Sequence, residues 1–363
     1  VYPALAIAEA LAADAACVPL EVLFVGTRDR LEARIVPNAG VPIAFVRAAP
    51  LARGFSARDP FALVRTLAIN AVGFVESLAV LHRARPDIVI ATGGYVTLPV
   101  VAAIRLVRLL GRSHARAVVL EPNAVAGIAN RLLRPLVDET WYAIAPARPL
   151  RARERVVGTP VRSSMRAAMD PRAARIALGL AAEATTIVAM GGSQGAASLN
   201  DAVATLAEDG LPGDRQVLLI AGERDVESVR ARLRGTRGIT VVGYLDDPRA
   251  AYAAADLVVA RAGASTLGEL AATGTPALLV PYPHATADHQ RRNAEAYAAS
   301  GAARVVADRE LTASRLAAEL ASMLAEPARA GLRAAASALA RTDPRAPLGA
   351  RVQALSASNM PPP

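Results

Sequence analysis

The chain has 363 residues, 53% of them apolar, which suits two packed cores better than one. A single cysteine, Cys17, excludes a disulfide framework and any multi-cysteine metal site, and His82, His114, His284 and His289 show no ligand spacing, so no structural metal is expected. The net charge of +9 comes entirely from arginine, because lysine is absent; it favours diphosphates or anionic lipid, whereas 4% aromatics and no densely basic helix face argue against nucleic acid.

Val1 to Ala8 reads as the first turns of a helix. Apolar, β-branched runs then alternate with helical patterns, the signature of parallel α/β units. In the first half, strands are expected at Glu21–Val25, Ile43–Val46, Ile88–Ala91, Ala117–Leu120 and Thr140–Ala143, with helices over Phe61–Arg83 and Val100–Leu110. Ala145–Arg155 is rich in Pro, Arg and Ala without periodicity and reads as an interdomain linker. In the second half, strands are expected at Thr186–Met190, Gln216–Ala221, Ile239–Val242, Leu257–Ala260, Ala277–Val280 and Arg304–Val306. Helical patterns cover Ala173–Leu178, Ala197–Leu206, Val226–Leu233, Pro248–Ala254, Thr266–Ala272, His289–Ser300 and Ala313–Leu324. The fold class is therefore α/β, with two doubly wound Rossmann-like domains, residues 1–146 and 147–343, facing across a cleft and binding ligands at strand C-terminal ends. Residues 344–363 end in three prolines and read as a frayed tail. No run of eighteen uninterrupted apolar residues occurs, so no membrane span is expected.

The functional signal lies in strand–loop–helix junctions. In the first, Thr186–Met190 runs into Gly191-Gly192-Ser193-Gln194-Gly195, and a helical pattern follows. Such a turn aims backbone N–H groups and the positive end of a helix dipole at one point, and small side chains let an anion come close. Phosphate is the usual occupant; a plain tight βα turn is the alternative. In the second, Ala260–Glu269 reads ARAGASTLGE, and Thr266-x-x-Glu269 has capping-box spacing. The same glutamate, in the first helical turn, can accept both hydroxyls of a ribose, and Arg261 can neutralise a diphosphate. The third spans Val280–Ala294: prolines stiffen the loop, Asp288 is placed to cap the next helix, and His289 and Gln290 suit sugar hydroxyls. After Ile239–Val242, the turn at Leu245 offers backbone groups to the edge of a base.

Six motifs in order resemble the MurG family over nearly the whole chain: GGYVTLP at Gly93–Pro99, EPNAVAGIAN at Glu121–Asn130, GTPVR at Gly158–Arg162, GGSQGAASLN at Gly191–Asn200, RAGASTLGE at Arg261–Glu269 and HATADHQRRNA at His284–Ala294. That family moves N-acetylglucosamine from its UDP sugar to lipid I, the undecaprenyl-diphosphoryl-muramyl-pentapeptide, giving the peptidoglycan precursor lipid II. The resemblance implies the two-domain glycosyltransferase-B fold. It also implies donor-diphosphate contacts at Arg162 and Ser193 within the glycine turn that includes Gly192 and Gly195, uracil held by the backbone near Leu245, and a diphosphate turn at Ala264, Ser265 and Thr266. Glu269 would bind the ribose, and His289, Gln290 and Asn293 would face the sugar. On the acceptor side, Gly93, Gly94 and Tyr95 would form an anion loop for the lipid diphosphate, with Glu121, Asn123 and Asn130 lining the cleft.

The sequence departs from the family in two places. The family's first glycine-rich loop ends in a histidine directly before a Val-x-Pro segment, and here Val1 is the first residue. The loop, its histidine (a favoured general base) and the preceding strand are thus expected to be missing from a truncated sequence. Leu120 stands where the family commonly has a histidine before the glutamate, which shifts weight onto Glu121 as base, its plainer role being to hold the loop around Asn123.

The reaction implied is an inverting displacement at the anomeric carbon by the muramyl C4 hydroxyl. No Asp-x-Asp triplet accompanies the donor motifs, so the glycine turn, its helix and Arg261 or Arg162 are expected to neutralise the leaving diphosphate with no obligatory metal. A lipid-linked acceptor implies a peripheral enzyme on the cytoplasmic face of the plasma membrane. In Phe61–Arg83, Ile69, Gly73 and Val80 form an extra apolar line, which Arg53, Arg58, Arg105, Arg108 and Arg112 could rim against anionic headgroups; a broadly buried helix accounts for the pattern equally well. Rival readings are another UDP-sugar-dependent lipid glycosyltransferase or an epimerase of the same fold, a UDP-sugar binder without activity, and an NAD-dependent oxidoreductase, the last disfavoured because neither glycine turn fits G-x-G-x-x-G.

Overall fold

A computed structural model describes residues 1–14, 20–50, 60–192, 196–211, 213–342 and 345–357. In chain order the elements are α1 (Tyr2–Asp14), β1 (Phe24–Gly26), α2 (Glu32–Asn38), β2 (Ile43–Phe45), α3 (Pro60–Ala84), β3 (Ile88–Ala91), α4 (Thr97–Leu109), β4 (Arg116–Glu121), α5 (Ile128–Leu133), β5 (Glu139–Tyr142) and β6 (Glu154–Val156). There follow α6 (Pro171–Ala177), β7 (Thr185–Met190), α7 (Ala197–Glu208), β8 (Arg215–Ile220), α8 (Val226–Arg232), β9 (Ile239–Val242), α9 (Arg249–Ala254), β10 (Leu257–Ala260), α10 (Ala264–Thr273), β11 (Ala277–Leu279), α11 (His289–Ala298), β12 (Ala303–Val305), α12 (Ala313–Leu324), α13 (Ala328–Arg341) and α14 (Arg345–Ala357). The chain divides into two compact units, Val1–Arg162 with the segment from Pro344 on, and Ser163–Asp343.

In the first unit, β3-β4-β5-β6 form one parallel sheet, and β1 and β2 pair only with each other. This half is thus two sheets among the described residues, where one doubly wound sheet was expected. The two-residue side-chain period of β4 builds a core on each face. Ala117 and Val119 pack with Val101 and Ile104 of α4 and Leu81 of α3, while Val118 and Leu120 pack with Ile7 of α1, Trp141 of β5 and Leu348 and Leu355 of α14.

Two expectations need correction here. Ala145–Arg155 is no free linker, because its end enters β6, where the buried Glu154 accepts two hydrogen bonds from Arg148, at 2.7 and 2.8 Å. The expected frayed tail holds α14, whose Leu348 and Leu355 are buried and whose Arg351 pairs with Glu139. Its apolar spacing was masked by the surrounding Ala, Arg and Pro. Residues 358–363 lie outside the described residues.

The second unit is one six-stranded parallel sheet, ordered β12-β11-β10-β7-β8-β9. Its central strands are buried beyond the first residues of β7 and β8 and rich in Val, Ile and Leu, as a sheet covered on both faces requires. Helix ends follow local chemistry. Thr312 caps α12 by accepting the Arg315 N–H at 3.1 Å, and Gly274 ends α10 in the left-handed region at φ +66°.

Candidate functional site

The order of the second sheet reverses between β7 and β10, with β8 and β9 laid to one side and β11 and β12 to the other. At such a reversal the loops leaving the two strands part to opposite faces and open a crevice at the strand C-termini. Met190 ends β7 beside Ala260, which ends β10. Each strand runs into a glycine turn and then a helix: Gly192 is left-handed at φ +87° before α7, and Gly263 precedes α10. Among the described residues neither helix has a side-chain N-cap, an arrangement in which first-turn N–H groups can meet an anion. Ser193 and Gly195 lie outside the described residues.

The capping box is absent. Helix α10 starts at Ala264, with Gly263 as N-cap, which places Thr266 inside its first turn and Glu269 beyond it, not within it as expected. The Glu269 carboxylate instead accepts the Tyr252 hydroxyl at 2.7 Å. Burial, followed by the nearby Glu269 charge, pushes the Tyr252 hydroxyl well above its usual ionisation range. Ser265 is exposed, while Ala264 and Thr266 are half-buried.

Arg261 is not poised as an open cation. It is 8% exposed; Nη1 donates to the Val280 carbonyl at 3.1 Å and to Asp308, and Nη2 donates to Ser198 Oγ at 2.8 Å. Ser198 donates in turn to Asp308 at 2.7 Å. A buried guanidinium must be paired, so Asp308 already neutralises it. Its visible work is to tie the first turn of α7 to the end of β10.

At the third junction, Asp288 stands before α11 but makes no side-chain cap; at φ +54° its carboxylate turns to Arg291. Gln290 Oε1 accepts the Tyr282 N–H at 2.9 Å, and His289 Nδ1 lies 2.8 Å from the Thr286 carbonyl. Asn293 is fully buried and donates to the Ala262 carbonyl at 3.3 Å, so it braces the turn after β10 rather than facing a sugar. Leu245 follows the edge strand β9, two strands from β7. Arg162 stacks on the Tyr2 ring at 5.3 Å, within the first unit.

In the first unit, β3 leads through Gly93 and Gly94, left-handed at φ +89° and +87°, into α4, again without a side-chain N-cap. Thr97 Oγ donates to the Gly93 carbonyl at 2.9 Å, and the Arg30 guanidinium lies 5.8 Å from the centre of the Tyr95 ring. Glu121, 1% exposed at the end of β4, accepts N–H groups from Asn123 backbone and side chain at 3.0 and 3.1 Å. Its other oxygen accepts the Gly127 N–H at 2.9 Å and Asn130 Nδ2 at 2.8 Å. A carboxylate holding four donors is a loop anchor, and this geometry gives it no direction in which to take a substrate proton. The base reading of Glu121 is corrected accordingly.

Helix α3 presents an apolar face, though not the expected one. Gly73 is buried against the Arg47 carbonyl, and Ile69 and Val80 are half-buried, whereas Phe61, Val64, Leu67, Val72 and Val75 are exposed. By length and composition Leu63–Ala84 suffices to cross a membrane. Polar groups in mid-helix are engaged by the protein: Glu76 accepts the Arg47 N–H at 2.6 Å, and Asn70 donates to the Ala49 carbonyl at 3.1 Å. Arg108 pairs with Asp138 and leaves the rim, while Arg53 and Arg58 lie outside the described residues.

The sequence reading missed Tyr252, Ser198 and Asp308. Tyr252 sits in an alanine-rich stretch that reads as core, Ser198 lies inside a recognised motif, and no local pattern marks Asp308.

Comparison with known proteins gives one consistent picture. Residues 1–141 match the glycosyltransferase family 28 N-terminal domain, and residues 186–345 match its C-terminal domain. A protein of Moorella thermoacetica named UDP-N-acetylglucosamine--N-acetylmuramyl-(pentapeptide) pyrophosphoryl-undecaprenol N-acetylglucosamine transferase is 41% identical over 87% of this chain and 85% of its own. A Desulforudis audaxviator protein of the same name is 37% identical over 95% of this chain and 92% of its own. The crystal structure of Acinetobacter baumannii MurG superposes with a TM-score of 0.72 at 26% identity, covering 97% of this chain and 95% of that one.

Proposed function

The chain belongs to the MurG family of glycosyltransferases, and we propose on that footing that it transfers N-acetylglucosamine from UDP-N-acetylglucosamine to the C4 hydroxyl of the muramyl sugar of lipid I, yielding lipid II. One observation carries the donor reading: β7 and β10, side by side at the reversal of the second sheet, lead past Gly192 and Gly263 to α7 and α10, neither of which has a side-chain N-cap among the described residues. The diphosphate sits on these N-termini and Glu269 takes the ribose hydroxyls. The departing UDP gains charge in the transition state, and fixed N–H dipoles stabilise it there without reorganisation. No obligatory metal is involved, so activity should survive EDTA; its loss in EDTA and return with Mg²⁺ would count against this arrangement.

The lipid diphosphate of the acceptor is held at Gly93–Tyr95 and the start of α4. The enzyme works as a peripheral protein on the cytoplasmic membrane face, through the exposed apolar residues of α3 with Leu109, Leu110, Arg105 and Arg112 at the end of the adjoining α4.

Calorimetric titration tests the donor site. UDP-N-acetylglucosamine should bind better than UDP-glucose, with no binding of NAD. Glu269→Ala should weaken UDP-N-acetylglucosamine binding by about 1–3 kcal/mol as hydrogen bonds to a carboxylate are lost. Equal affinity for NAD would overturn the assignment.

A further inference from the structure

Glu269 is the acid proposed for the ribose, and Tyr252 donates a hydrogen bond to its carboxylate. The tyrosine side chain rises from α9 and is 2% exposed. Its hydroxyl lies 2.7 Å from Glu269 Oε2 and 3.6 Å from the sulfur of Met190, the last residue of β7. Three elements, β7, α9 and α10, thus meet through one hydroxyl at the reversal of the sheet.

A carboxylate on a helix turns freely about its terminal torsion unless a donor holds it. Both ribose hydroxyls can bond one carboxylate only if its plane is set for them. A flexible donor such as lysine would move with the acid; a packed phenol ring cannot. Burial keeps Tyr252 in its protonated, donating form.

We propose that Tyr252 is a positioning residue that orients Glu269 and thereby gives the donor site its preference for ribonucleotides over deoxyribonucleotides. The proposal rests on the reading of Glu269 as the ribose acid. Tyr252 touches neither the sugar nor the phosphates and acts only through the carboxylate it holds.

The test is calorimetric binding of UDP, 2′-deoxy-UDP and 3′-deoxy-UDP to the full chain and to Tyr252→Phe, Glu269→Ala and the double variant. Removal of one hydrogen bond to a charged acceptor should lower UDP affinity in Tyr252→Phe by about tenfold. Affinity for the deoxynucleotides, each of which keeps one hydroxyl for Glu269, should fall by less than that for UDP, so that the preference for ribose narrows. The double variant should bind no more weakly than Glu269→Ala. A purely structural tyrosine would lower affinity for all three nucleotides alike, and that result, or an unchanged ribose preference in Tyr252→Phe, overturns the proposal. If Glu269→Ala itself keeps the ribose preference, the ribose reading falls and the proposal with it; if Glu269→Ala loses it while Tyr252→Phe does not, only the proposal falls. Melting temperature reports folding. Should Tyr252→Phe not fold, Tyr252→Met fills the space without a hydroxyl and bears the same test.

Discussion

Four N–H donors converge on Glu121, which is 1% exposed, and two come from backbone or side chain of Asn123 within the loop that follows. Replacement by glutamine keeps the shape but turns one acceptor into a donor facing donors. Glu121→Gln should therefore destabilise the first unit by about 1–3 kcal/mol, read as a lower midpoint in urea. The pH profile of its residual transferase activity should keep the wild-type acidic limb, where a base is lost to protonation; loss of that limb would restore Glu121 as the base. Arg261 teaches the same lesson with the opposite charge. Its neighbours Asp308 and Ser198 engage its two Nη atoms internally, so its importance lies in holding two turns in register. Residue type pointed at each of these positions, but whether an ionised group faces ligand or protein depends on partners distant in sequence.

At the scale of single elements, α3 is the clearest case of a pattern read with the wrong phase. Its apolar residues are so numerous that periodicity alone marks several faces. Packing against α4 and against the 47–49 backbone selects the face that turns inward, with Gly73 at its centre: a Cβ there would stand 1.8 Å from the Arg47 carbonyl oxygen. Phe61→Asp with Val75→Asp should abolish flotation with phosphatidylglycerol vesicles while leaving the melting temperature within a degree or so, since both side chains are exposed, at 85% and 63%. Retained flotation would remove α3 from the membrane surface. Gly73→Ala should instead lower stability by about 1–3 kcal/mol through overpacking.

Over the whole molecule, each unit carries its own core and its own charges. Buried acids concentrate in the first. Hydrogen bonds from Arg148 hold Glu154 below the ordinary carboxylate range. Burial works against ionisation of Asp138 and Glu139, but Arg108 with the Ala117 N–H, and Arg351 with Trp141, outweigh it and leave both below that range as well. A lowered folded-state pKa gives stability that is present above the unfolded value near pH 4 and lost as pH falls through the folded value. Acid below about pH 4 should thus lower the unfolding midpoint of the first unit first. Saturating UDP should raise only the transition of the second unit, because a ligand stabilises the part that binds it. Calorimetric scans at pH 7 and pH 3.5, with and without UDP, check both; a single transition shifted by UDP as a whole would refute the division of labour.

What the sequence determined by itself is everything carried by short-range regularity. Alternating apolar runs and helical stretches predicted the six strands of the second unit, because a strand buried on both faces is written in consecutive residues such as Thr186–Met190. Glycines at 93, 94 and 192 marked the turns that need left-handed backbone, and the order of six motifs identified the family. Tertiary structure alone decided the strand order that sets β7 beside β10, the split of the first sheet, the docking of α14 and the partners of Glu121, Arg261, Asn293 and Glu269. The physical reason is range: a turn is made by its own few residues, whereas a buried polar group is satisfied by whichever atoms the fold brings to it, and Tyr252 reaches Glu269 only because α9 and α10 pack together.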